Sequence, residues 1–115
     1  MSGGTTMTVD VGHPPRSAGR VEEDLQDAWD RARSSRETRV LKIVHGYGSG
    51  GTGGSTRTVV RNWTFRHRGR FRAVIEGERY SLFDEETQRM RGETGQGQDA
   101  DLSAGNPGIT VVWLR

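Results

Sequence analysis

The chain has 115 residues, a net charge of +2 and no cysteine. That is enough chain for one domain and not two, and it excludes disulfides and thiolate metal sites. No apolar run reaches the length of a membrane span or a secretory h-region, so the expectation is a cytoplasmic protein with no membrane partner.

Residues 1–6, Met1-Ser2-Gly3-Gly4-Thr5-Thr6, read as a flexible tail, and residues 7–115 as a single domain. Met7–Val11 alternates and carries β-branched residues, which predicts a first strand; Gly12-His13-Pro14-Pro15 stops it. A helix is predicted over Arg20–Ser34, where Val21, Leu25, Ala28, Trp29 and Ala32 form one apolar stripe. Glu22, Glu23 and Asp24 in its early turns and Arg31 and Arg33 in its last suit the helix dipole. Trp29 is expected in the core. The second strand, Arg39–Val44, is nearly all apolar, as a strand covered on both faces should be.

Six of the ten residues from His45 to Gly54 are glycine. Ser55 is placed to cap the next helix, Thr56 to His67, with Val59, Val60 and Trp63 as its buried stripe. A third strand covers Phe71–Glu76 and a final one Ile109–Leu114. Between them a long loop is expected at about 77–108. Within it Tyr80–Phe83 can form a short strand, Asp84–Arg91 a helical turn or two, and Gly92–Gly108 a mobile segment. Trp63 and Trp113 are expected in the core. The order is βαβα followed by two or three strands. That predicts an α/β two-layer sandwich, a four-stranded mixed sheet packed with two helices.

Strand, glycine loop and helix together make an anion site, because glycine lets backbone approach a ligand and a helix start offers unpaired N–H groups. Ligands of such sheets bind beyond the carboxyl ends of the strands. Asp10 and His45 end the first two strands, so they can face one site if those strands are neighbours. Charge is uneven: residues 1–30 carry −4, residues 31–72 carry +10 and residues 73–115 carry −4. The basic block contains the loop and points to a polyanionic partner. Gly46-x-Gly48-x-x-Gly51 satisfies a dinucleotide pattern, with Glu76 ending the next strand. The chain is too short for a dinucleotide fold plus a substrate domain, and its first βα unit precedes the motif. A P-loop needs a lysine that this loop lacks.

The run His45-Gly46-Tyr47-Gly48-Ser49-Gly50, followed by Arg57, Val60 and Trp63, resembles the centre of the Smr (small MutS-related) domain family. Three further pieces agree in order: Val9-Asp10-Val11, the acidic helix with Val21-Glu22-Glu23, and the turn and strand Asn106 to Val112. The resemblance covers roughly Thr8 to Leu114. It implies a fold similar to the C-terminal domain of bacterial translation initiation factor three. It also implies binding of nucleic acid, DNA or RNA, often with endonuclease activity.

The chain departs from the family pattern Asp-Leu-His-Gly at Asp10-Val11-Gly12-His13, where the histidine is displaced by one position. At a strand end that shift reverses the side-chain direction. Tyr47 stands where the family commonly has lysine, removing a charge and supplying a ring for stacking. The loop and the segment 77–108 are also longer than usual.

The mechanism this predicts is phosphodiester cleavage or strand binding at the loop. Backbone N–H groups of Gly46, Gly48 and Gly50 hold a phosphate, with Tyr47 and Ser49 beside them. His45 acts as general acid or base, since imidazole exchanges protons near neutrality. Asp10 orients it or activates a nucleophile, with His13 as a further catalytic candidate. Arg57 and Arg61 contact flanking phosphates. His67 at a helix end is expected to stabilise the helix. Glu85-Glu86 and Asp99-Ala100-Asp101 are expected to be solvated carboxylates, and the three histidines have no recognised metal-ligand spacing. A divalent cation (Mg or Mn) held partly by nucleic-acid phosphate is compatible with the site. The alternatives are a non-catalytic nucleic-acid-binding module of the same fold, and a nucleotide-binding or protein-interaction domain.

Overall fold

The computed structural model describes residues 5–46 and 53–115. Its elements in chain order are β1 (Thr6–Asp10), α1 (Ala18–Ser34), β2 (Val40–Val44), α2 (Gly53–Arg66), β3 (Phe71–Glu76), α3 (Glu85–Thr94) and β4 (Ile109–Leu114). A single turn of 3-10 helix, Arg68–Arg70, leads into β3.

The four strands form one mixed sheet in the order β1-β2-β4-β3. β1 and β2 are parallel, with Asp10 opposite Val44, so the two strand ends expected to share a site are neighbours. β4 runs antiparallel to both β2 and β3. β2 and β4 are the inner strands, and every residue of β4 is buried.

Alternation sends the two halves of each strand to different layers. Leu41, Ile43, Val112 and Leu114 face α1 and α2, where they meet Val21, Leu25, Ala28, Val60 and Trp63. Val40, Ile75, Ile109, Val111 and Trp113 face the opposite side, packed with Tyr80 and Met90. The sandwich is thus covered on its second face by α3 and its flanking turns, a third helix beyond the two expected. An extra residue at the start of β3 lets Phe71 pair with Leu114 and Ala73 with Trp113. This bulge puts Phe71 on the α1–α2 face and Ala73 on the other, and leaves Arg72 exposed.

Several boundaries differ from those expected. Thr6 belongs to β1, not to a tail. α1 begins two residues early because the Ser17 hydroxyl caps it, accepting from the Arg20 N–H at 3.2 Å. Glu22, Glu23 and Asp24 therefore lie beyond its first turn. Trp29 is half-buried, its ring between the guanidinium groups of Arg33 and Arg70 at 4.5 and 4.2 Å. α2 starts at Gly53, so Ser55 lies inside the helix and not at the position before it. Tyr80–Phe83 is a turn, not a strand. Asp84 caps α3 through the Thr87 N–H at 2.9 Å, and Gly95 ends it at φ 72.

The stretch expected to be mobile, Gly92–Gly108, is tied to the sheet. Its first residues finish α3, and Asp99 and Asp101 both accept from the Lys42 ammonium, at 2.8 and 2.7 Å. Asp99 also accepts from the Tyr80 hydroxyl at 2.8 Å, and Gln96 donates to the same hydroxyl at 3.0 Å. These aspartates are ion-paired, not solvated as expected.

Candidate functional site

Asp10, the last residue of β1, receives the turn that follows it. One carboxylate oxygen accepts from the Gly12 N–H at 2.9 Å and the His13 N–H at 3.0 Å. The His13 ring folds back so that Nδ1 lies 3.1 Å from both carboxylate oxygens. Strand alternation ends at Asp10, so the one-position displacement of the histidine does not turn it away. The turn brings it onto the carboxylate. Burial raises the Asp10 carboxyl, but the two N–H groups and the His13 ring outweigh that and hold it below the usual carboxylate range. The pair is open to solvent, with 65% of the His13 side chain and 43% of Asp10 exposed.

Gly12 has a steric reason to be glycine. A Cβ there would lie 2.6 Å from the His45 carbonyl oxygen, so the turn after β1 packs directly on the end of β2. Gly46 has a conformational one, with φ at +78. A Cβ at Gly46 would stand 3.8 Å from Cε1 and Nε2 of His13. The His13 ring therefore lies alongside Gly46, where the glycine loop begins.

His45 lies on the other side of the strand and is 2% exposed. Its Nδ1 is 2.6 Å from the Gly46 carbonyl oxygen and its Nε2 is 2.9 Å from the Thr110 hydroxyl. A carbonyl only accepts, so Nδ1 carries the proton and Nε2 accepts from Thr110. Burial pushes the imidazole below its ordinary value and the nearby Arg61 and Arg57 add to that, so the ring is neutral. Both nitrogens are engaged. Asp10 is paired with His13 and does not orient His45, contrary to expectation.

The N–H groups of His45 and Gly46 both donate to the Gly108 carbonyl, at 2.9 and 3.0 Å. Gly46 therefore does not offer a free N–H to a phosphate, as had been expected of it. Tyr47, Gly48, Ser49 and Gly50 lie outside the described residues.

Arg57 and Arg61, one turn apart on α2, are both partly buried and share one carboxylate. Glu78 accepts from Arg57 at 3.2 Å and from Arg61 at 3.0 Å. Arg61 also reaches the Ile109 carbonyl and the Thr110 hydroxyl, each at 3.4 Å. A chain of contacts thus runs from Arg61 through Thr110 to His45 and Gly46. Any phosphate reaching the two guanidinium groups competes with Glu78, whose carboxyl burial raises but its own backbone N–H, then Arg61 and Arg57, hold below the usual carboxylate range.

The basic block does not survive folding as one patch. Six of its eleven basic residues pair with carboxylates from the acidic flanks or with neighbours on α1, among them Arg66 with Glu22 at 2.7 Å. Among the described residues no three His, Asp or Glu side chains are arranged to hold a metal ion. No described helix is long and apolar enough to cross a membrane.

Thr110, Glu78 and Gly108 were missed by sequence reasoning. Thr110 carried a signal, as the one polar residue of an otherwise apolar strand. Lys42 carried the same signal in β2.

The described elements form an α/β fold whose conspicuous polar groups gather at the carboxyl ends of β1 and β2. No family model and no curated protein matches the sequence. Among solved structures the chain is similar to the Smr domain of Thermus thermophilus MutS2, with 19% identity and a TM-score of 0.57, over 94% of this chain and 96% of that one. The chain has the Smr-domain fold.

Proposed function

We propose that the chain is an Smr-type nucleic-acid-binding domain that cuts the phosphodiester backbone through Asp10 and His13. The observation that carries this reading is the solvent-facing His13 ring, with Nδ1 held 3.1 Å from both oxygens of Asp10 and the ring edge against Gly46. A carboxylate on one imidazole nitrogen fixes the tautomer and stabilises the protonated ring, leaving the other nitrogen to move a proton. His13 Nε2 would take the proton from the attacking hydroxyl, of water or of an RNA ribose, or give one to the leaving oxygen.

His45 is assigned a positioning role in place of the acid–base role expected for it. Neutral and held at both nitrogens, it keeps Gly46 and the start of the loop in place. Tyr47, Gly48, Ser49 and Gly50 would line the phosphate. Arg57 and Arg61 would meet flanking phosphates by exchanging Glu78 for them.

The test uses supercoiled plasmid and structured RNA, each with and without magnesium or manganese. Wild type should yield nicked or cleaved product. His13→Asn and Asp10→Asn should each lower the rate by at least about 100-fold, the low end for acid–base catalysis. Equal products from wild type and His13→Asn would refute the assignment. Binding without cleavage by wild type would establish the non-catalytic module instead, a reading favoured by the carboxylate already seated between Arg57 and Arg61.

A further inference from the structure

We propose a second nucleic-acid contact at the far end of α2. It is a groove between the last turn of α2 and β3 that takes an unpaired strand, with a base on Phe65 and phosphates on Arg68, Arg72 and Arg115. It rests on the reading of the chain as a nucleic-acid binder, and not on cleavage.

The groove, of about 480 Å³, is lined by five arginines and one acidic residue, Glu76. Two of those arginines are neutralised nearby: Arg61 by Glu78, and Arg79 by Asp84 and Glu86. No aspartate or glutamate lies within ion-pair distance of the other three among the described residues. Each is held by a neutral group instead. Arg68 donates to the Phe65 carbonyl at 2.7 Å, Arg115 donates to the Gly69 carbonyl at 3.0 Å, and the Arg72 guanidinium stands 5.7 Å from the Trp113 ring. These contacts order the cations without cancelling their charge, which is what a phosphate site requires.

Phe65 supplies the second element. It is 64% exposed on a helix whose buried positions, Val60, Trp63 and Thr64, already serve the core. The Arg68 guanidinium lies 4.1 Å over its ring. A solvent-facing ring beside ordered cations is the arrangement on which unpaired bases stack. A duplex keeps its bases in the helical stack and cannot use the ring.

β3 is an edge strand, and arginines with a bulge also discourage edge-to-edge pairing. That accounts for Arg72. It does not account for Phe65, because an exposed phenylalanine beside an open edge invites the association the arginines would prevent. The groove shares Arg61 with the first set of phosphate contacts but contains neither Asp10 nor His13, so Phe65, Arg68, Arg72 and Arg115 can be changed without touching that pair.

The test measures fluorescence anisotropy of a labelled single-stranded 12-nucleotide probe and of a matching hairpin duplex at several salt concentrations. A glutamate-rich peptide serves as the control for edge pairing. Wild type should prefer the single strand. Phe65→Ala should weaken that binding roughly tenfold, and Phe65→Trp should restore it. Arg68→Gln/Arg72→Gln/Arg115→Gln should reduce the slope of log affinity against log salt by about 2, at roughly 0.7 per phosphate. All are surface changes, and a thermal melt checks that each variant folds.

Cleavage of plasmid and RNA is scored separately for each groove variant, which separates the two readings. Wild-type affinity in both the Phe65→Ala and the triple-arginine variants would overturn the groove, whatever the plasmid assay shows. So would equal loss on duplex and single strand, or a peptide that binds wild type and is the only probe the variants weaken. If the groove variants lose binding and wild type cuts nothing, the groove stands and cleavage falls. Failure of wild type to bind either probe would remove both.

Discussion

Replacing Lys42 with methionine tests whether one buried cation holds the second face of the sheet together. Lys42 is the only lysine of the chain and projects from an inner strand otherwise built of Val, Leu and Ile. Its side chain is 13% exposed, and those of Asp99 and Asp101 are 10% and 28% exposed. Burial alone would push the ammonium down, and the two aspartates outweigh it and push the value up. Methionine fills the space of the aliphatic stem but leaves two carboxylates without their cation.

Breaking a buried pair by removing one partner costs about 3–5 kcal/mol. Asp99 keeps the Tyr80 hydroxyl and the Asp101 N–H, and Asp101 keeps the Asn106 amide, so the low end applies, about 3 kcal/mol. For a domain of this size that is about a 10 °C fall in Tm.

Urea unfolding at pH 7 measures the loss. Asp99 and Asp101 have folded values below the ordinary 3.8, so their contribution is complete above that value and disappears as pH falls through the lower folded values. The difference between wild type and variant should therefore shrink in strong acid. Adding Asp99→Asn to Lys42→Met should recover part of the loss, because it removes one orphaned charge. The damage should also travel. Asp101 accepts from Asn106, and Asn106 accepts from the Gly108 N–H, at 3.1 and 2.8 Å. The Gly108 carbonyl in turn takes the N–H groups of His45 and Gly46. Amide exchange at His45 and Gly46 should accelerate. A loss under about 1 kcal/mol at pH 7, or one that persists undiminished at pH 2, would refute the reasoning.

Two further variants probe the site. His45 is depressed by burial and by Arg61 and Arg57, so the unfolded chain binds its proton first. Stability should fall as pH drops below about 6.5, at up to about 1.4 kcal/mol per pH unit from this group. In His45→Asn the slope between pH 7.5 and 5 should flatten, with His67, depressed by burial and by Arg70 and Arg66, leaving a residual slope of the same sign. Identical slopes in urea titrations would show that His45 is not the buried neutral group. Glu78→Gln should release Arg57 and Arg61 and tighten oligonucleotide binding by roughly two- to tenfold, within the range of a single exposed charge contact. Unchanged or weaker anisotropy binding would remove the two arginines from the interface.

What the sequence disclosed follows the range of the forces involved. β3 and β4 were legible to the residue, because a run of β-branched and aromatic residues bounded by glycine is a local pattern. The α1 stripe was legible too, though its start depended on one serine hydroxyl. α3 was only half legible. It buries Thr87 and Met90 alone, so it has almost no apolar stripe, and its clearest mark is the Asp84 cap. The segment after α3 was misread as mobile, because what anchors it is a lysine 57 residues earlier. No window along the chain contains that pair. The signal lay at the other end: a lysine within an apolar strand must find carboxylates somewhere.

The same limit explains the arginines. Along the sequence they form a block around the glycine loop, and in the fold the acidic flanks return to meet them. Among the described residues, Arg68 and Arg72 of that block, with Arg115, meet carbonyls and a ring instead of carboxylates. Linear charge density therefore does not locate the charge that folding leaves unpaired. The histidines carry a parallel lesson. His45 sits in the recognisable motif, yet the strand that makes it recognisable also buries it between Thr110 and Gly46. His13 departs from the motif, and a turn built on Gly12 brings it to the carboxylate and leaves it in solvent. Proton transfer to a substrate needs a ring nitrogen that the substrate can reach, and the described geometry meets that need at His13.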